Sequence, residues 1–203
     1  MNPPEIILAS ASPRRSALLK SINVSFKVVS GNARELHDST IAPRDLCKHN
    51  AELKAREVAA AYPGNLVLGA DTLVALGKTI YGKPRDLSQA RTYLTELGGK
   101  KHEVITGVAL LHLTNKEASV FAVGTEVTFR PLTNRIIEEY LSLVNVLDKA
   151  GAYAIQEHGD MLVSKVEGSR SNVIGLPLES LRAALAHFGI TTSEPDKTLF
   201  SLR

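Results

Sequence analysis

Apolar positions along this chain recur with two different periods, and together they lay out an ordered series of strands and helices. Ile6, Ile7 and Leu8 form an apolar run typical of a buried strand, and Phe26 to Val29 reads as a second short strand. Between them, Pro13 falls at the first position of a helical pattern whose apolar stripe begins at Leu18 and Leu19, with Ser12 as its N-cap. A polar stretch from Ser30 to Thr40 leads into a long helical pattern from Arg44 to about Tyr62. Pro43 introduces that helix, and Pro63 with Gly64 stops it. Leu66 to Leu68 is a short, fully apolar strand ending at Gly69-Ala70-Asp71-Thr72. A second apolar piece, Leu73 to Leu76, turns at Gly77 and continues to Tyr81.

Asp86 with Gln89 resembles a capping box opening a helix that ends at Gly98-Gly99. Two long β-type runs, Glu103 to Leu113 and Ser119 to Arg130, read as an antiparallel hairpin turning near Asn115-Lys116. Thr133 caps a helix through about Leu143, Asp148 to Gln156 is a loop, and Met161 to Val166 is a strand before a turn at Gly168. The last helix runs from Pro177 to Phe188, with Leu178, Leu181 and Leu185 on one face and Gly189 as its stop. Residues 192–203 read as a frayed tail behind one domain spanning 1–191. αβ units mixed with a long hairpin predict an α/β fold: a mixed, strongly twisted sheet flanked by helices.

Composition narrows the class without naming a function. With 203 residues, 44% hydrophobic and 22% charged, the chain can bury a proper core as an ordinary globular protein. No basic apolar leader stands at the start and no apolar run approaches the roughly 20 residues a bilayer requires, so a cytoplasmic protein off the membrane is expected. The single cysteine, Cys47, rules out an internal disulfide and reads as a buried structural thiol on the long helix. A net charge of +3, spread without dense basic runs, argues against stable nucleic-acid binding and suits a small anionic ligand. No G-x-G-x-x-G follows a strand, and Gly77-Lys78-Thr79 lacks the upstream glycine of a P-loop. The six histidines show no metal-ligand spacing and read as surface or satisfied residues.

Candidate chemistry lies where apolar segments end. At the first helix start, free backbone N–H groups, the Ser10 and Ser12 hydroxyls, and Arg14 and Arg15 converge on a spot fit for phosphate; an ordinary capped helix with two solvated arginines reads equally well. Asp71, on a Gly-Ala shoulder beyond a buried strand, is either a catalytic acid or a turn-forming aspartate. Lys54 and Lys83 are either anion ligands or solvated cations, Glu35 either a divalent-ion ligand or an exposed acid. Asp148 and Lys149 read as a surface ion pair.

Taken in order, the segments LASASPRR (Leu8–Arg15), GADT (Gly69–Thr72), GKPRD (Gly82–Asp86), ITGVAL (Ile105–Leu110), DKAGAYAIQ (Asp148–Gln156) and GLPL (Gly175–Leu178) resemble the Maf family of nucleoside triphosphate pyrophosphatases. Each is weak alone; six in register from Ile6 to Leu185 are specific. The resemblance implies a Maf/ITPase-like fold with its cleft between two closely joined lobes, and hydrolysis of a nucleoside triphosphate between the α- and β-phosphates. It implies Asp71 as general base, and a divalent cation, Mg²⁺ or Mn²⁺, on Glu35, Asp71 and the substrate phosphates. Arg15, Lys54 and Lys83 would neutralise the triphosphate, and Ser10 and Ser12 would position its oxygens.

The family divides into a dTTP/UTP type and a 7-methyl-GTP type at three positions. Arg14, Thr72 and Gln156 resemble the first; the second carries Trp, Gln and Glu there. Gln offers a donor and an acceptor to the alternating edge of uracil or thymine, whereas Glu only accepts and Trp can stack on a cationic base. Two departures stand out: Arg34-Glu35 replaces a frequent acidic pair, and Arg170 stands where an aromatic is common. The family also implies a homodimer. Its link to restraint of septation leaves a non-catalytic, nucleotide- or nucleic-acid-binding regulator as the alternative function.

Overall fold

The buried strand expected at the start is β1 (Ile6–Ala9), buried at all four positions. It runs parallel between β2 (Phe26–Val28) and β3 (Val67–Leu76) in a computed structural model that describes residues 5–196. β3 reverses through Gly77 and Lys78 into β4 (Thr79–Tyr81); only Gly77 takes positive φ, at 60°, as a type II′ hairpin needs. Antiparallel ladders then join β3 to β5 (Lys101–His112), β5 to β6 (Glu117–Phe129) and β6 to β7 (Val163–Glu167). The sheet order is β2-β1-β3-β5-β6-β7, with β4 against the end of β3. This is the mixed α/β sheet that the alternation of elements predicts.

Helices cover both faces. On one, α1 (Pro13–Ser21), α3 (Leu87–Leu97), α4 (Asn134–Leu143) and α7 (Leu178–His187) pack a continuous core that includes Leu19, Leu94, Tyr140 and Leu181 against Ile6, Leu68, Val108 and Phe129. On the other, α2 (Pro43–Ala61) lays Ala51, Ala55 and Val58 against Ile7, Val67 and Ala109. Small residues set this second contact. A Cβ on Gly69 would lie 2.3 Å from Ala51 O, and one on Gly107 would lie 2.3 Å from Cys47 O, so the helix backbone rests directly on β3 and β5. No helix among the described residues is long and apolar enough to cross a membrane.

Several expectations need correction. Leu66–Leu68 and Leu73–Leu76 are not two strands: pairing runs unbroken from Val67↔Leu111 to Ala75↔Glu103, and Asp71 lies inside the strand. Ladder hydrogen bonds to β5 override the turn tendency of Gly-Ala-Asp. Met161–Val166 divides into a single helical turn, α5 (Gly159–Leu162), and β7. After Gly168, α6 (Arg170–Ile174) forms where a turn alone was expected, because the Ser169 hydroxyl accepts the Asn172 N–H as an N-cap. Ser12 takes the N-cap position of α1, but its hydroxyl makes no capping bond. Residues 191–196 carry no helix or strand, yet Ser193 N–H donates to Ile22 O and Arg182 to Glu194, so this part of the expected frayed tail is docked. The remainder, 197–203, lies outside the described residues.

The glycine seat gives a stability prediction. Gly107→Ala drives a methyl into main-chain atoms of α2, which cannot swing aside, and should cost about 1–3 kcal/mol as an overpacked contact. Urea unfolding should show the lower midpoint with an unchanged slope.

Candidate active site

A gap in strand pairing opens the cleft. On one flank of β3, β1 ends at Ala9↔Gly69 and β4 begins at Tyr81↔Val74, so Ala70 to Leu73 have no strand neighbour there. Asp71 therefore has a sheet's rigidity and a cavity's access. The cleft beside it has a volume of about 1290 Å³, and Ser10, Ser12, Arg14, Arg15, Glu35, Lys54, Asp71, Thr72, Lys83 and Gln156 all line it. Every site residue proposed from the sequence thus falls on one cavity, whatever its role.

The α2 seat places the second layer. Asn50, Lys54 and Glu57, at i, i+4 and i+7, follow one face of the helix. Lys54 Nζ lies 2.7 Å from Asp71 Oδ1 and 2.8 Å from Glu35 Oε1, joining the two carboxylates through one ammonium. Asp71 Oδ2 receives a single long bond, 3.4 Å, from Asn50 Nδ2. Asn50 also donates to Leu36 O and accepts from Leu36 N, while Glu57 accepts from Asn32 N. These two staples hold the polar 30–40 segment, and Glu35 with it, over the cleft. Asn50 and Glu57 escaped the sequence reading, although their helical spacing with Lys54 is visible in it.

The two arginines of α1 have different fates. Arg15 Nε donates to Gly175 O at 2.9 Å, Nη1 to Ser10 Oγ at 3.0 Å and Nη2 to Thr72 Oγ1 at 3.0 Å. Burial lowers the Arg15 pKa, opposed by the charge of Asp71; no carboxylate pairs with it directly among the described residues. Gly175 supplies its acceptor carbonyl at φ 127°, a conformation that favours glycine. Thr106, fully buried, directs its one hydroxyl proton to Asn172 O at 3.1 Å. Across the 3.0 Å contact between the two threonines Thr72 is then the donor, so its proton is committed and a lone pair is what it can offer a ligand.

Arg14 turns the other way. Its Nη1 meets Asp148 Oδ2 at 2.9 Å and its Nη2 donates to Asp148 O at 3.3 Å. The adjoining Lys149 is not the expected surface residue: its side chain is 5% exposed and pairs with Asp148 and Glu157 while donating to Asn145 O. Burial raises the Asp148 carboxyl, but hydrogen bonds from Lys149 and Arg14 outweigh it and hold the pKa below the usual range. The stabilisation this carboxylate provides is full at neutral pH and is lost as pH falls through the lowered folded value. The expected loop here contains a 3-10 turn, Ala150–Ala152, and Gly151 N–H donates to Gly82 O, which fixes the segment against the Lys83 turn. Lys83 itself is exposed on the cleft rim.

Other groups are passive. His102 is buried, bonded through Nε2 to Tyr153 OH at 2.9 Å, and burial lowers its pKa to about 4. Cys47 is on the sheet-facing side of α2 with its thiol donating to Ile105 O, and burial, followed by the charge of Asp71, pushes its pKa up to about 12. No group of three or more His, Cys, Asp or Glu gathers among the described residues to hold a metal by itself. Glu35 Oε1 and Asp71 Oδ1 both close on the Lys54 ammonium, which fills the position between them; for a hard divalent ion these two residues supply carboxylate oxygen that water and phosphate would have to complete.

Fold and cleft define the class first: a mixed-sheet α/β protein built round one strand-embedded aspartate and a charged cavity. Its fold is similar to that of a HAM1 protein from Coxiella burnetii, with TM-score 0.52 at 14% identity, covering 91% of this chain and 100% of that one. The model for Maf-like protein matches residues 5–188, and the chain belongs to the Maf family. Similar relatives are the dTTP/UTP pyrophosphatases of Akkermansia muciniphila, 45% identical over 92% of this chain and 97% of that protein, and of Myxococcus xanthus, 44% identical over 91% and 93%. A further relative of the same name in Clostridioides difficile is 40% identical over 87% of this chain and 91% of its own.

The environment of Cys47 predicts its reactivity. A buried thiol with a pKa near 12 has almost no thiolate at pH 8. The native protein should leave a disulfide reagent such as DTNB unreacted at that pH, and one thiol should titrate when the protein is unfolded.

Proposed function

We propose that this chain is a nucleoside triphosphate pyrophosphatase acting on dTTP and UTP. Asp71 carries the reading: a carboxylate fixed in a strand yet open to a large cleft, with one oxygen held by Lys54 and the other lightly bonded. Support also comes from relatives at 40–45% identity, named dTTP/UTP pyrophosphatases, that align along most of their length.

In this reading Asp71 Oδ2 accepts a proton from water as the water oxygen bonds to phosphorus at the α–β anhydride. The bridging P–O bond breaks, leaving the nucleoside monophosphate and pyrophosphate. A bound Mg²⁺ or Mn²⁺ would polarise the phosphate oxygens and offset their charge, with Glu35 and Asp71 as its protein ligands. Lys54 keeps those two carboxylates together and orients Oδ1, so that Oδ2 faces the water. Lys83 sets its charge at the cleft rim against the phosphates, and Ser12, whose hydroxyl leaves the helix uncapped, can donate to a phosphate oxygen. Arg15 is engaged with Gly175, Ser10 and Thr72, so its part is to shape that wall and contribute positive potential.

Base selection fits the same wall. Thr72 offers a lone pair, which matches a ring N–H; Gln156 can both donate and accept, matching the carbonyl and N–H edge of uracil or thymine. Arg14 offers donors to a pyrimidine carbonyl. The family's homodimer is part of this proposal, to be checked by solution mass.

The direct test is pyrophosphate release from a nucleotide panel with Mg²⁺ or Mn²⁺. dTTP and UTP should be the preferred substrates, and Asp71→Asn should lower kcat by roughly 10²–10⁴ with the fold retained by circular dichroism. Undiminished turnover in that variant would remove Asp71 as the base. Salt-dependent DNA binding with no pyrophosphate release would overturn the whole reading in favour of a regulator.

A further inference from the structure

Four alternating charges connect the two ends of the base-selecting wall. Arg14, on α1, grips Asp148 at two points, through the carboxylate at 2.9 Å and the main-chain carbonyl at 3.3 Å. Two bonds from one guanidinium fix its plane as well as its position. Asp148 turns its other oxygen to Lys149 Nζ at 2.9 Å. Lys149 then pairs with Glu157 at 3.4 Å, and Glu157 adjoins Gln156 in the chain. Its ammonium also donates to Asn145 O, so a buried cation anchors the middle of the series.

A buried centre separates this arrangement from an ordinary surface pair, although the Asp148 and Glu157 side chains are 50% and 44% exposed. Exposed ion pairs hold geometry weakly, because water screens them and the side chains keep their rotamers. Here the central lysine is 5% exposed. The backbone around it is constrained as well: Gly151 at φ 69° and Ala152 at φ 60° form a tight turn, and a Cβ on Gly151 would meet the Val74 side chain at 2.8 Å. In the proposed reaction water activation falls to Asp71 and its partners, which leaves Asp148 and Lys149 without a part in that step.

We propose that Asp148 and Lys149 are positioning residues for substrate selection, holding Arg14 and Gln156 at a set separation across the cleft. Arg14 uses two of its N–H groups on Asp148 and keeps others for a ligand; their direction is set by the grip, so they meet a carbonyl acceptor at one place. A free arginine in the same position would follow many acceptors and discriminate poorly. The inference deepens the dTTP/UTP reading and rests on it.

A double-mutant cycle tests it. kcat/KM for UTP and for GTP is measured in the wild type, Asp148→Asn, Arg14→Ala and the double variant, with thermal unfolding followed in each. Asp148→Asn should reduce the UTP-over-GTP preference roughly tenfold, mainly through KM for UTP, while adding nothing in the Arg14→Ala background. Equal loss on both nucleotides, or effects that multiply in the double variant, would show a merely structural aspartate and overturn the proposal. Should Asp148→Asn fail to fold with Lys149 left buried, Asp148→Asn with Lys149→Met removes both charges; a wild-type preference there overturns the proposal equally. A wild type that releases no pyrophosphate from UTP or dTTP overturns the proposed function and this inference together. A wild type with the preference, and variants that keep it, overturn this inference alone.

Discussion

The rest of the site depends on how closely α2 rests on the sheet. Gly69 and Gly107 lack the carbon atoms that would hold the helix away, and main-chain atoms of Ala51 and Cys47 occupy that space instead. Because β3 and β5 pair at Asp71↔Gly107, the close approach occurs opposite the aspartate that matters. A lysine three residues beyond Ala51 then reaches Asp71 at 2.7 Å. A looser helix would carry Lys54, Asn50 and Glu57 away together, and with them the 30–40 segment they staple. A packing constraint in an apolar layer thus fixes a polar geometry at its edge, which is how a helix-borne site holds tolerances a loop could not.

The second constraint is topological. A parallel β1 that stops early and an antiparallel β4 that starts late leave part of β3 unpaired on one flank while β5 secures the other. An aspartate in such a place keeps the strand's backbone order and still borders the cleft, although it is only 5% exposed. The expectation that Asp71 would follow a strand misplaced it by treating access and pairing as exclusive. Its neighbour Thr72 shows the other benefit of a strand: the two side chains point to opposite faces. One residue joins the layer of Lys54 and Glu35, the next the layer of Arg15 and Thr106, with no chain between them.

Much of this is legible in the sequence. Helix boundaries marked by Pro13, Pro43, Asp86 and Thr133 hold, because each rests on local chemistry that tertiary packing did not contest. The long hairpin holds for the same reason. What could not be read were partnerships between residues distant in sequence. Lys149 reads as a solvated cation until its burial is known, and no local rule buries it. Asn172 and Thr106 look like filler, yet they fix the direction of the Thr72 hydroxyl from the neighbouring strand and α6. α6 was missed because five residues carry too little periodicity to register, while the Ser169 cap that forms it was in plain view.

Arg14 and Arg15 show how far side-chain chemistry depends on the face a helix presents. They are adjacent, chemically identical and equally suited to phosphate. One rotation step along α1 puts Arg15 against neutral acceptors, where burial opposes its charge and three hydrogen bonds compensate. The same step puts Arg14 against a carboxylate that is itself held by a buried lysine. A guanidinium bonded to neutral groups keeps its full charge available to an incoming anion, whereas one paired with Asp148 has that charge offset and keeps chiefly its directional donors. The first environment suits attraction of a polyphosphate, the second recognition of an uncharged base edge. The division of labour proposed for the two arginines would therefore follow from their partners, with charge and selection served from one helix start.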